Sequence, residues 1–315
     1  MIRRWPGSVL RERGVLSMNA RNLEMIAEEN PRRLYPLVDD KTLTKRLATE
    51  AGIAVPEFYG VIESEGGMGE LDAILEGRPS FVIKPAQGSG GSGILVVDGT
   101  RQERFLRSNG TYLDREQLER HVSNVLSGMY SLGGHPDRAL IERRVEFDPV
   151  FEDITYRGVP DIRTIVYRGV PIAAMVRLPT SDSDGKANLH QGAVGVGIDM
   201  TTGMTTTGVC KSRPVDHHPD TMMPLAGVEI PEWRSLLTLA ARCFELAPLG
   251  YLGVDIVLDR TLGPLVLELN ARPGLAIQLA NRRGLRFAID RVRALDTVPE
   301  DASERAALAF TQAAA

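Results

Sequence analysis

The chain has 315 residues, 43% hydrophobic and 25% charged, so it buries a core, is not disordered overall and exceeds one small module; two or three packed subdomains are expected. Lysine and arginine total 37 against 41 acidic residues, and this net charge of −4 excludes a global attraction to nucleic acid or anionic lipid, leaving only local basic patches. Two cysteines, Cys210 and Cys243, are too few for a disulfide framework or a four-ligand zinc site and fit a reducing, cytoplasmic compartment, and no apolar run is long enough to span a bilayer.

The first 22 residues carry Arg3, Arg4, Arg11, Arg13 and Arg21 against Glu12 alone. Without an apolar stretch of signal-peptide length, residues 1–35 read as an N-terminal extension in preference to a targeting segment, with Met18 as an alternative start. A short helix is expected over 22–30, stopped by Pro31, and a second from Lys41 to about Ala51, capped by Asp39 or Asp40 and ended by Gly52. Residues 81–97, FVIKPAQGSGGSGILVV, are two β-rich runs joined by glycines, followed by a polar helix over about 114–126. The glycine-rich segment 127–137 reads as a mobile loop. A strand over 139–145 precedes two antiparallel strands within 161–178 that turn at Arg168 and Gly169. Residues 180–231 read as turn-rich, 231–246 as helix, and 253–259 and 263–270 as two more strands; from about Glu300 the chain reads as a helical, frayed tail. Hairpins with separate helices predict an α+β architecture.

Gly88, Gly90 and Gly93 have the spacing of a dinucleotide fingerprint, but that motif requires a following helix, and Ile94 to Val97 continue as a strand. The segment is a glycine flap between antiparallel strands. Its backbone N–H groups, free of Cβ atoms, suit phosphate oxygens, with Lys84 supplying positive charge; the alternative is a flexible hairpin beside a chance lysine. Kinase motifs are absent.

Asp255 and Glu268 sit in successive apolar strands, and in a symmetric hairpin they face each other. Opposed carboxylates on buried strands call for a cation, and Asn270, two residues on, adds a neutral oxygen on the same face: a hard, all-oxygen set suited to magnesium. The alternative is that Asp255 pairs with a lysine or arginine, or is solvated at an edge.

In this order, Lys41, Lys84, the glycine flap, Asp255, Glu268 and Asn270 resemble the ATP-grasp superfamily, and within it the RimK-like α-L-glutamate ligases. DDKTLTKRLATEAGIAVP, FVIKPAQGSGGSGI, LIERRV, DIRTIVYRGVPIAAMVR, ANLHQGA, GVDIVLD and GPLVLELNARPGL each match a block, together covering roughly residues 39 to 275. The resemblance implies an α+β ATP-grasp fold in which two subdomains, over 36–145 and 146–290, clasp ATP between them, with a short N-terminal extension over 1–35 and a C-terminal tail over 291–315. It implies that Lys41 and Lys84 contact ATP phosphates, with Gly88, Ser89, Gly90, Gly91, Ser92 and Gly93 closing over them. Glu142, Arg143, Arg144 and Val145 would hold adenine, and Asp161 the ribose. Arg177 and Asn188 would face the reacting phosphate, with Lys84, Arg177 and Asn188 as the catalytic set, and Lys186 would be among the ATP-binding residues. Asp255, Glu268 and Asn270 would hold Mg2+, or Mn2+ in its place.

The implied activity is an ATP-dependent carboxylate–amine ligase. A carboxylate takes the γ-phosphoryl group to give an acylphosphate, which an amine then displaces, joining an amino acid to a peptide, protein or small metabolite. A nucleotide-binding protein without turnover and a phosphotransferase are the alternatives. No nucleic acid partner or membrane span is expected, and a homo-oligomer stays open. Arg272 would clamp a substrate carboxylate or form a structural ion pair; His190 would act as acid or base or order its own loop. Arg282, Arg283 and Arg286 form a basic cluster that receives an acidic substrate tail or is a solvated face. Asp182, Asp184 and Gly185, and the group His217, His218 and Asp220, read as exposed loops in preference to metal sites.

Overall fold

The computed structural model describes residues 6–88 and 90–312. Two sheets organise it. The first has the order β1-β6-β2-β3-β4-β5, with β1 (Phe58–Ile62), β2 (Phe81–Pro85), β3 (Leu95–Arg101), β4 (Arg104–Arg107), β5 (Tyr112–Leu113) and β6 (Ala139–Glu142). Phe81, Ile83 and Ile141 point to one face, where they pack on Leu118, Val122 and Val125 of the helix Arg115–Leu126. That helix is therefore amphipathic and not simply polar; Asp114 and Gln117 form its capping box. The opposite face carries Lys84 and Glu142.

The second sheet has the order β11-β10-β9-β8-β7-β12-β13, with β7 (Asp161–Tyr167), β8 (Val170–Leu178), β9 (Val194–Ile198), β10 (Thr205–Cys210), β11 (Arg213–Val215), β12 (Tyr251–Asp259) and β13 (Gly263–Asn270). β9 to β11 lie within the stretch expected to be turn-rich; their short Gly- and Thr-rich runs give little alternation to read. One face of this sheet packs Ile162, Val166, Val176 and Val254 against the helix Trp233–Leu246 and against Ala302, Ala306 and Ala309. Residues 302–309 of the expected tail are thus packed and not frayed. Arg305, only 4% exposed, donates to the carbonyls of Gly169, Ala241 and Pro299 and pairs with Glu245 at 2.7 Å.

The other face divides in two. At one end Ile165, Tyr167, Met175 and Tyr251 are covered by Leu16, Met25, Ile277 and Ile289. The early residues here form the turn Met18–Ala20 and the π-helical stretch Arg21–Ala27, so helix begins before the expected residue 22. Asn30 fastens this segment to the strands, its amide nitrogen donating to the carbonyls of Tyr251 and Ala271 at 2.7 Å each. At the other end the face is left charged. Asp161, Arg163, Arg177, Asp255, Glu268 and Asn270 share it by strand alternation, as a floor to the space beneath the first sheet.

The β12–β13 register explains how the two acids come to share a face. Near the turn Asp259 pairs with Gly263 and Ile256 with Val266, and continuing that register would oppose Asp255 to Leu267. A bulge between Asp255 and Ile256 absorbs Leu267 as the extra residue, and beyond it Asp255 faces Glu268 and Gly253 faces Asn270. The expected pairing is present, produced by a bulge and not by a symmetric hairpin.

Candidate active site

The helix Lys41–Glu50 begins where the sequence placed it. Asp40 caps it, its carboxylate accepting from Thr42 N and Leu43 N at 3.0 and 3.1 Å. This cap sets Lys41 at the mouth of a cleft lined by Lys41, Lys45, Lys84, Val266, Leu267 and Glu268. The Lys41 ammonium donates to the Gly88 carbonyl at 2.6 Å and lies 3.5 Å from Glu268 Oε1. One lysine therefore touches both the glycine flap and the acidic hairpin.

Behind it lies a buried three-residue network. Glu142, 2% exposed, pairs with Lys84 at 2.5 Å and with Lys45, whose ammonium also donates to the Pro56 carbonyl at 3.0 Å. Burial alone would raise the Glu142 carboxyl, but Lys84 and Lys45 together hold it below its usual range. Burial pushes Lys45 down to about 8; the attraction of Glu142 offsets this only in part, and repulsion from Lys84 adds to the lowering. Two ammonium groups on one carboxylate leave a surplus positive charge facing the cleft, the polarity a phosphate requires. Lys45 is absent from the sequence-based site; its spacing of four from Lys41, one helical turn, was the available signal. Glu142, expected at adenine, is engaged by these lysines. Next to it, Val145 packs with Val257 and Leu265, with Val159 and Leu267 alongside, as an apolar patch at the end of the charged floor. Arg143 pairs with Asp259 at 3.0 Å, and Arg144 with Asp98 at 2.5 Å.

On the floor, charges alternate. Asp161 accepts from Arg177 at 2.6 Å; the same guanidinium donates to Asp255 at 2.8 Å, and Arg163, directly opposite Asp255 on β7, donates to the same oxygen at 2.6 Å. Burial would raise Asp255, yet Arg163 and Arg177 hold it below the usual carboxylate range. Asp161 goes the other way, to about 6: burial dominates and the neighbouring Asp255 charge adds to it, against the pull of Arg177. Arg163 is a second residue that the sequence reading missed. It stands two residues after Asp161 on the same strand, and so on the same face.

The alternative reading of Asp255, an arginine partner, is therefore realised, while Glu268 has, among the described residues, only the long contact to Lys41. Asn270 donates its amide to Asp255 at 3.4 Å, which leaves its carbonyl oxygen for a cation. Among the described residues no cluster of three or more His, Cys, Asp or Glu stands ready for a metal. The trio is instead two carboxylates and an amide on one face. Its donor chemistry fits a hard divalent cation that takes its remaining ligands from phosphate and water, provided the cation shares Asp255 with the arginines.

The glycine flap is held at both ends. Asp137 accepts from Gln87 N at 3.0 Å and from Ser131 Oγ at 2.6 Å, and Gly88 bridges to Ser131. Gly93, at φ +75°, lies against the Tyr130 ring, where a Cβ would come within 2.5 Å, and its carbonyl is 3.0 Å from His121 Nε2. Segment 127–137 is thus tied to the flap through Tyr130 and Ser131. Across the cleft, Asn188 and Gln191 donate to the Gly90 carbonyl at 3.4 and 3.3 Å, and the Lys186 side chain lies beside Gly91. Ser92 is exposed, and Ser89 lies outside the described residues.

The remaining candidates are peripheral. Arg272 lies over the Tyr35 ring at 5.1 Å and 3.6 Å from Asp39, at the rim. His190 is exposed, its N–H bonded to Asn188 at 3.0 Å. His218 is fully buried, in contrast to the exposed loop expected there, with its ring 2.9 Å from the Pro179 carbonyl. Lys211 pairs with Asp182 at 2.7 Å.

A family model described as sugar-transfer associated ATP-grasp matches residues 20–294. The chain belongs to this ATP-grasp family. Its α+β architecture is the ATP-grasp fold. Among curated relatives, a protein named probable alpha-L-glutamate ligase from Enterobacter sp. (strain 638) is 26% identical over 236 residues, 75% of this chain and 56% of its own length. This ATP-grasp chain therefore spans little more than half of that relative. Of the solved structures, the ATP-grasp ligase PsnB complexed with minimal precursor matches at a TM-score of 0.47 and 14% identity, over 84% of this chain and 63% of its own. The D-cycloserine synthetase DcsG matches at 0.46 and 17%, over 89% and 71%.

Proposed function

We propose that this protein is an ATP- and Mg2+-dependent carboxylate–amine ligase. The observation that carries the reading is Lys41, whose ammonium joins the glycine flap to the Glu268 face within one cleft. No nucleophile from the protein is needed; the chemistry asks for positive charge and oxygen ligands around a triphosphate, and the cleft is built of these. Lys84 and Lys45 supply charge along the phosphates, and the flap amides close over them. The apolar patch of Val145, Val257 and Leu265 suits a nucleobase, and Asp161 the ribose. Mg2+ held by Asp255, Glu268 and Asn270 would neutralise the phosphate oxygens. Arg163 and Arg177, lying against Asp255, are placed to receive negative charge as a substrate carboxylate becomes an acylphosphate. Asn188 and Lys186 stand over the flap, where they help exclude water.

The glutamate ligase relative supports glutamate as the incoming amine. The family's association with sugar transfer adds glycan-bearing acids to peptides, proteins and small metabolites as acceptors. The test is ADP release with L-glutamate across a panel of such acids, with mass analysis of the product. An amide that forms only when acid and amine are both present supports the reading. ADP release independent of both substrates, or a phosphorylated end product, overturns it.

A further inference from the structure

Among the described residues, thirteen large hydrophobic side chains are exposed, and five of them, Leu10, Met18, Leu23, Leu279 and Phe287, lie in two short segments far apart in sequence. The fold joins those segments. Arg286 N donates to the Gly14 carbonyl at 3.0 Å, and Gln278 bonds both to the Leu16 backbone and to Leu285 N. Gly14 lies against the Phe287 ring so closely that a Cβ there would come within 2.6 Å of it. Residues 6–24 and 279–293 together hold eight arginines, three acids and no lysine, in a chain whose net charge is −4. One of those acids, Glu24, is already taken by Arg286 at 2.9 Å, with Arg293 at 3.7 Å.

Arg11, Arg13, Arg282, Arg283 and Arg291 are exposed on this surface. Phe287 and Arg291, four apart on the helix Arg286–Arg293, share one side of it, and Arg283 in the turn before the helix lies near enough for its charge to act on Arg291. No hydrogen bond or ion pair engages either guanidinium among the described residues. Burial first, and the nearby Arg283 charge second, hold Arg291 below the usual arginine range.

We propose that this surface docks the protein on an anionic lipid bilayer as a peripheral, non-spanning contact. Arginines that meet headgroup phosphates beside leucine, methionine and phenylalanine side chains that enter the acyl boundary are the pattern of an interfacial surface. A second copy of the chain, related by a two-fold axis, would set arginine against arginine. A nucleic acid would satisfy the arginines and leave the aliphatic side chains in water. No helix among the described residues is long and apolar enough to cross a membrane, so the contact is with the surface. The layer that carries it is the one whose inner side covers the second sheet next to the charged floor, so docking holds the cleft beside the bilayer.

The test is co-sedimentation of the full chain with vesicles of phosphatidylcholine and of phosphatidylcholine mixed with phosphatidylglycerol. Retention on the mixed vesicles is expected, weakening with salt, with little on the neutral ones. Removing two arginines by Arg283→Ser and Arg291→Ser lowers partitioning roughly twenty-five-fold, since each is worth about a factor of five at such a surface. Arg46→Ser, an exposed arginine on a different helix, leaves it unchanged. Thermal melts establish that the variants fold, and Arg283→Ser alone, with a fivefold loss, serves if the double variant does not. No retention, equal retention on both vesicles or an equal loss in Arg46→Ser overturns the proposal. So does a dimer, or a complex with duplex DNA, that forms in place of vesicle binding and is broken by the same two substitutions.

Discussion

Asp255 and Glu268 stand directly opposite each other on neighbouring strands, yet arginines neutralise only one of them. Asp255 is buried against Arg163 and Arg177, while Glu268 is about a third exposed and, among the described residues, pairs with Lys41 alone, at 3.5 Å. Two acids with the same proposed ligand therefore carry different structural debts, and substitutions separate them.

Glu268→Gln is expected to change stability by no more than about 0.5 kcal/mol, as a partly exposed residue without a close partner does. In the proposed ligase it lowers turnover at least a hundredfold, because a carboxylate oxygen is lost from the cation set. Urea melts and ADP release measure the two effects on one preparation.

Asp255→Asn is expected to cost about 3 kcal/mol in urea unfolding, since it leaves the half-buried Arg163 without a carboxylate and Arg177 with Asp161 alone. A loss below about 1 kcal/mol would mean that the arginines find other partners.

Lys45 makes the fold respond to alkaline pH. Its folded pKa, about 8, lies below its ordinary value of 10.5, so between these the unfolded chain binds more protons and stability attributable to Lys45 rises with pH. Comparing Lys45→Met with the natural chain in urea from pH 8 to 9.5 isolates this slope from the other titrating groups; a slope of opposite sign contradicts it. In the proposed enzyme the same titration weakens nucleotide binding over that range, visible as a rising KM for ATP that Lys45→Met abolishes.

Arg305→Ala is expected to cost about 3 kcal/mol, read from urea melts, because it leaves the buried carbonyl of Gly169 without its guanidinium donor and empties the space that the side chain fills against the helix Trp233–Leu246. Glu245, its carboxylate partner, is half exposed and adds little to that loss.

Much of this was legible in the sequence, and the exceptions have physical causes. The capped helix at Lys41, the flap and the acidic hairpin each rest on local signals: a cap, glycines, alternation. Arg163 on Asp255, and Lys45 on Glu142, are contacts between strands and helices 92 and 97 residues apart, so the network depends on topology. Alternation from Asp161 identifies the face of Arg163 without revealing its partner. The β12–β13 bulge hides in an unbroken apolar run, since Leu267 looks like any other strand residue. Strands β9 to β11 and the packed chain end were obscured by small residues: Gly195, Gly197 and Ala306 are chosen for close approach and score poorly as strand or core.

The bond from Leu16 N to the Gln278 side chain spans 262 residues of chain. Contacts of such high order form late in folding. The segment that covers one end of the second sheet thus remains without this partner until the chain has been synthesised past residue 278 and the intervening strands have paired. An early folding intermediate would present a wet, apolar sheet face next to its ionic floor, which makes this seam the place where a chaperone would be most useful and where precipitation during refolding would begin.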